Sequence, residues 1–206
     1  MRRVSRCAAD ELFQVWKDRI GKALLAGWIG IAMVGVASLS LGHTVAMPGP
    51  DSEARLTRAM LALRRDATKT FLVHVISAGC SCTERLFAHL VARGSFPGTE
   101  EIVVFVGDDP AKRRSAEGAG FAFATVSAAE LSARYGLEAA PVLVGFDVAG
   151  QLRYAGGYYN HPSTVSPLDE RIHAQLERGA VPESLPVFGC AVSARLQTFM
   201  NVLDLV

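Results

Sequence analysis

No charged residue occurs between Ala23 and Pro50 of this 206-residue chain. A run of that length without charge is not the composition of a solvated loop or of a surface helix. A surplus of basic residues is also missing. The 21 Lys and Arg face 20 Asp and Glu, for a net charge of +1, which leaves no electrostatic footprint for a nucleic acid. Charged residues make up only 20% against 50% hydrophobic, so the chain is not of the disordered class. It has no internal repeat and no low-complexity tract. Cysteine is scarce as well, with four in all. Cys7 precedes the uncharged run, which leaves Cys80, Cys82 and Cys190 beyond it. An iron–sulfur cluster calls for a fourth cysteine that is not there. Three is an odd number, so one thiol is left free, reactive or paired between chains.

The uncharged run is long enough, over residues 23–43, to span ~30 Å of hydrocarbon as a helix. Residues 1–22 carry six Lys and Arg against Asp10, Glu11 and Asp18, and this bias favours a cytoplasmic N-terminus. The expected organisation is a cytoplasmic segment at 1–22, a transmembrane anchor at 23–43, a linker at 44–51 and a domain at 52–206. Met47-Pro48-Gly49-Pro50 breaks any helix and supplies the linker. The other reading of the apolar run is a cleaved signal peptide, for which both its basic and its apolar regions are long. On either reading the domain faces the periplasm or the cell exterior, where disulfides persist. The anchor reading gives a single-pass protein of the cell inner membrane with a periplasmic C-terminal domain.

The most informative stretch of the domain is Phe71–Gly94. Phe71-Leu72-Val73-His74-Val75-Ile76 is an apolar, β-branched run and reads as a buried strand. Ser77-Ala78-Gly79 is a turn. Leu86, Phe87, Leu90 and Val91 then recur at helical spacing, with Gly94 as the stop. Ser81 and Glu84 match a capping box, so Ser81 is the expected N-cap. Cys80 and Cys82 therefore fall where a buried strand meets a helix N-terminus. The positive end of the helix dipole stabilises a thiolate there and is expected to lower its pKa below the ~8.5 of free cysteine. A thiolate is the nucleophile of disulfide exchange. A direct Cys80–Cys82 disulfide closes a very small ring, and such a bond is strained and oxidising.

Strand, turn, dicysteine and helix resemble the opening of the thioredoxin-like superfamily. A second match is Tyr135-Gly136-Leu137-Glu138-Ala139-Ala140-Pro141-Val142-Leu143-Val144-Gly145-Phe146, which looks like the segment carrying that family's cis-proline. The resemblance covers roughly Phe71–Gly157. It implies an α/β, thioredoxin-like three-layer domain behind the single N-terminal helix. It further implies a thiol–disulfide oxidoreductase acting through Cys80-Ser81-Cys82, with no cofactor and with protein thiols or disulfides as partners. Cys80 is then the exposed nucleophile and Cys82 its first resolving thiol. Pro141 takes the place of the cis-proline, whose backbone faces the dithiol and pairs with substrate; an ordinary trans proline opening a strand is the other reading. Two departures stand out. Only Ser81 separates the cysteines, where thioredoxins have two residues, and His74 replaces the buried acid six residues before the first cysteine.

The remaining elements alternate as an α/β domain does. Asp51–Ala67 reads as helix and Glu101–Val106 as strand. Ala111–Gly118 reads as a short helix and Phe121–Val126 as a strand. Ser127–Tyr135 reads as a helix capped by Ser127 and Glu130. Pro141–Phe146 and Gln151–Ala155 read as strands, Pro162–Gly179 as loop then helix, and Ala191–Leu203 as a final helix. Cys190, just before that helix, is either a third redox thiol or a buried structural one. His74 is either a satisfied core residue or a proton acceptor for a buried thiol. His161 lies on a loop, and His89 and His173 read as helix-surface residues. Two other functions remain open. Cys80, Cys82 and His161 have the softness of a Cu(I) site, as in a copper chaperone for a respiratory or other cuproenzyme partner. A non-catalytic thioredoxin-like binding module is the third class.

Overall fold

Strand β1, Thr70–Ser77, is buried at every residue and lies at the centre of a five-stranded sheet. A computed structural model of the chain describes residues 4–44 and 46–200, with side chains at 16–17, 19–37, 46–80 and 82–200. The sheet order is β3–β2–β1–β5–β6, with β2 at Thr99–Val106, β3 at Ala122–Val126, β5 at Val142–Phe146 and β6 at Leu152–Gly156. β1 pairs parallel with β2, and β2 with β3; β5 runs antiparallel to β1, and β6 to β5. Parallel strands covered on both faces need apolar residues on both, which is why β1 reads as a continuous run rather than an alternation.

Alternation along β1 sends Phe71, Val73 and Val75 into one core and Leu72 and Ile76 into the other. On the first face lie α2 (Glu53–Leu61) and the helical stretch α5 (Ala128–Glu130), which continues as a π-helical turn over Leu131–Tyr135. Leu56, Met60, Leu131 and Tyr135 supply their buried side chains. The second face is covered by α3 (Ser81–Arg93), α4 (Pro110–Gly118) and α6 (Asp169–Glu177), through residues such as Leu86, Leu90, Ala116, Ile172 and Leu176. Helix, sheet and helix thus form three layers, as the resemblance implied. Ser127 caps α5 by accepting from the Glu130 backbone N–H, the expected cap.

Two short strands lie outside the main sheet. β4 (Ala139–Ala140) and β7 (Cys190–Ala191) pair antiparallel with each other, and α7 (Ala194–Met200) follows β7. Two-residue strands carry no readable periodicity, and neither was expected. Residues 201–203 of the expected final helix lie outside the described residues.

The chain divides into two compact units, one ending at Leu41 and the other beginning at Gly42. α1 is one continuous helix, Val4–Thr44, most of which belongs to the first unit. Its stretch Arg19–Ala37 is long and apolar enough to cross a membrane, by length and composition. Leu24, Trp28 and Ile31 along it are exposed. The backbone at Cys7 is helical; its side chain lies outside the described residues. In the second unit the expected linker is partly built in. Met47 is buried in the first core, and its N–H donates to the Val187 carbonyl at 2.8 Å.

Candidate functional site

Cys80 is the N-cap of α3, with extended backbone, and Ser81 is the first helical residue. This shifts the expected cap by one position. Glu84, expected to reach back to the helix start, instead accepts from the Lys112 ammonium at 2.7 Å. Gly79 precedes Cys80 with φ +72°. That left-handed turn lets the chain leave the sheet and enter the helix within a few residues.

Cys80 is buried and forms a disulfide with Cys190 across a Cα–Cα distance of 6.2 Å. Cys82 is a free thiol, half-buried. The structure differs from the expectation in two respects: Cys80 is buried, and the disulfide it forms is to Cys190 rather than Cys82. The two thiols line different hollows. Cys80 and Cys190 border a depression of about 380 Å³ with Ser77, Val106 and Ser127. Cys82 lines a pocket of about 280 Å³ with Arg85, Tyr159, Thr164 and Phe188. Tertiary pairing brings Cys190 to Cys80. In β4–β7, Cys190 lies opposite Ala140 and Ala191 opposite Ala139.

The Ala140–Pro141 bond directly after that pair is cis. The segment carrying Cys190 is strapped along this edge. Gly157 N–H donates to Leu185 O at 2.9 Å, and the Val192 and Ser193 amides both donate to Glu138 O, at 2.7 and 3.1 Å. Gly189 lies against the cis peptide. A Cβ there meets the Ala140 carbonyl oxygen and comes within 2.6 Å of Pro141 Cδ. Glu138 also pairs with Arg195, whose guanidinium holds its carboxyl below the usual range.

His74 is fully buried on β1. Its Nε2 lies 2.8 Å from Glu101 Oε2 and its Nδ1 2.8 Å from the Tyr158 hydroxyl. This network assigns the tautomer: Tyr158 donates to Nδ1, and Nε2–H donates to Glu101. Both ring nitrogens are committed, so the geometry is that of a satisfied core histidine. The network extends further. Arg93 bonds Glu101 at 2.7 Å and Asp169 at 2.8 Å, and both carboxylates have no exposed surface. His89 bonds Asp169 at 3.0 Å, and the Phe96 N–H donates to Glu101. Burial pushes Glu101 up, but the bonds from His74 and Arg93, with the Arg93 charge, outweigh it and bring the carboxyl down to about 2. Burial above all, with the Asp169 charge adding to it, drives the Tyr158 phenol well above its usual value. No buried side-chain polar atom among the described residues lacks a partner. His89 and His173 are therefore not simple surface residues; the His173 ring stacks on Phe96 at 3.9 Å.

His161 bonds Ser163 on an exposed loop. With Cys80 held by Cys190, the candidate Cu(I) set of Cys80, Cys82 and His161 is not assembled. Among the described residues no group of three or more His, Cys, Asp or Glu is placed to hold a metal ion.

No family model matches the chain, and no curated protein does. Solved structures do. A hypothetical protein from Sinorhizobium meliloti 1021 is 18% identical, with TM-score 0.50, over 61% of this chain and 80% of its own. An uncharacterized conserved protein from Geobacillus kaustophilus is 20% identical, with TM-score 0.50, over 61% and 77%. A secreted Mycobacterium tuberculosis disulfide oxidoreductase is 16% identical, with TM-score 0.37, over 52% and 82%. At such identities the likeness concerns the fold alone. Sheet order, the N-cap cysteine after the central strand and the cis-proline before β5 make that fold thioredoxin-like.

Proposed function

We propose that this protein is a thiol–disulfide oxidoreductase whose redox couple is Cys80–Cys190, acting on thiols or disulfides of other proteins. The observation that carries the reading is the disulfide itself. It joins the N-cap cysteine of α3 to a strand paired with the residue before cis-Pro141. Once reduced, Cys80 lies at the positive end of α3, where a thiolate is favoured. It attacks a client disulfide, and Cys190 resolves the mixed disulfide by returning to Cys80. Cys82, two residues on, is an auxiliary thiol that faces a separate pocket.

The test uses the full chain, reduced and held in detergent micelles, with a disulfide-bonded protein as substrate and dithiothreitol as electron source. Catalysed reduction is expected, and it disappears when Cys80 is alkylated beforehand. Turnover no faster than with dithiothreitol alone contradicts the reading.

The same proposal assigns residues 1–22 to the cytoplasm, 23–43 to an uncleaved anchor and the domain from 52 onward to the periplasm of the inner membrane. Its support is the Arg19–Ala37 stretch together with the basic residues before it. Mass spectrometry of protein extracted from membranes is expected to return the uncut N-terminal segment. A mature chain beginning near residue 47 removes the anchor and leaves a secreted domain.

A further inference from the structure

The segment that delivers Cys190 behaves as an added strand more than as a part of the sheet. Among the described residues its strand pairing is with the two residues of β4, with one isolated antiparallel bridge from Val187 to Met47. Its backbone contacts are Met47 and Gly157 on one side of the cysteine and Glu138 on the other. Cys190 sits at the register position opposite Ala140, one residue before cis-Pro141. One backbone edge can accept one antiparallel strand at a time, because each N–H and C=O is used once. Any polypeptide that approaches Cys80 along this edge must therefore take the place that residues 187–192 now fill.

We propose that Val187-Phe188-Gly189-Cys190-Ala191-Val192 is a built-in occupant of the client site, and that its sequence is the template for the clients accepted. This rests on the oxidoreductase reading above. The client class is an extended, cysteine-bearing segment with glycine directly before its cysteine and an aromatic residue before that. Glycine is demanded by the close approach. A Cβ at position 189 comes within 2.6 Å of Pro141 Cδ and 2.7 Å of the Ala140 carbonyl carbon, on atoms fixed in a ring and a backbone. The aromatic preference comes from Phe188, which lines the pocket that Tyr159 and Arg85 also wall. The small residue after the cysteine follows Ala191, opposite the fully buried Ala139.

The exchange balances as two electrons per client disulfide. The Cys80 thiolate attacks the client cysteine's sulfur; a Cys80–client bond forms as the client disulfide breaks. The client's other sulfur leaves as a thiolate and takes a proton from water. Cys190, deprotonated to solvent, then attacks Cys80 Sγ. The Cys80–Cys190 bond forms again, and the client cysteine departs as a thiolate. The domain's thiol pair is oxidised and the client disulfide is reduced. In this cycle the strap leaves the edge when the couple is reduced and reoccupies it at the resolving step.

Synthetic hexapeptides carrying 5-thio-2-nitrobenzoate on their cysteine sulfur test this directly. Attack on the cysteine sulfur releases the chromophore, and stopped-flow absorbance gives the second-order rate for the reduced full-length protein. The peptides are Val-Phe-Gly-Cys-Ala-Val, its Gly-to-Leu variant and its Phe-to-Ser variant, each normalised to its rate with dithiothreitol. The parent peptide is expected to react at least about tenfold faster than the leucine variant, the scale of a steric misfit in a shaped site. It should also outpace the serine variant. If all three react at one enhanced rate, the template proposal is overturned and the oxidoreductase reading survives. If none reacts faster with the protein than with its Cys80→Ser variant, both are overturned.

Discussion

Cys80→Ser is expected to abolish disulfide exchange, by roughly a thousandfold or more as for removal of other covalent nucleophiles. Cys80 is the N-cap residue of α3, and its sulfur is bonded to Cys190, the β7 residue opposite Ala140. Neither other thiol can stand in for it. Cys82 opens onto the pocket with Arg85 and Tyr159, and Cys190 reaches the site only by way of β7. The single variants should therefore act unequally. Cys190→Ser leaves attack intact and removes resolution, so it should accumulate mixed disulfides with clients, visible on non-reducing gels. Cys82→Ser leaves the Cys80–Cys190 couple whole and should retain most of the activity. The sequence alone suggests the reverse, with Cys82→Ser as the trapping variant. Trapping by Cys82→Ser and not by Cys190→Ser restores that first assignment and removes Cys190 from the cycle.

The second large effect concerns stability. Arg93→Met is expected to destabilise the domain by about 3–5 kcal/mol, the range for breaking a buried ion pair on one side. Arg93 is the cation between Glu101 and Asp169, two carboxylates with no exposed surface. Methionine fills much of its volume but leaves both acids without their main counter-charge. The same network predicts acid lability. Glu101 has a folded pKa depressed from 4.5 to about 2. Its contribution is complete above the unfolded value and is lost as the pH falls toward the folded one. The loss amounts to at most about 3 kcal/mol between those limits. Urea unfolding at neutral pH and at pH 3 measures both effects. In Glu101→Gln the acid-dependent part should shrink. An unchanged pH slope in that variant places the acid sensitivity elsewhere.

Much of the fold was legible because burial on both faces leaves an unmistakable signature. Phe71–Ile76, interrupted only by His74, and Ile102–Val106 are apolar runs, and such runs become the parallel centre of a covered sheet. Ser127 with Glu130 marked a helix start because that pairing satisfies end-of-helix donors. The same pattern at Ser81 and Glu84 misled, since the strand delivers Cys80 in extended conformation and makes it the cap. The site was half legible. Cys80 and Pro141 stand in local contexts that a sequence displays. The pairing of Cys190 does not, because 110 residues separate it from Cys80 and three thiols allow three pairings. Nor does any local pattern foretell that Arg93, Glu101 and Asp169 meet. They come from α3, β2 and α6, and only the layer packing brings them together. The one hint was an acid at the head of an apolar strand, Glu101, with an arginine at the end of the preceding helix.

The central claim, that Cys80 and Cys190 are the redox couple and Cys82 is not, is tested most directly by thiol mapping under controlled potential. The full-length protein is equilibrated in a series of glutathione buffers, quenched with an alkylating reagent and digested, and each cysteine peptide is weighed. Cys80 and Cys190 are expected to pass from disulfide to alkylated thiol together, along a single two-electron curve with a tenfold change per 29.6 mV. Cys82 is expected to be alkylated throughout. A Cys80–Cys82 disulfide that titrates while Cys190 stays reduced, or a Cys80–Cys190 bond that no buffer in the series reduces, contradicts the account.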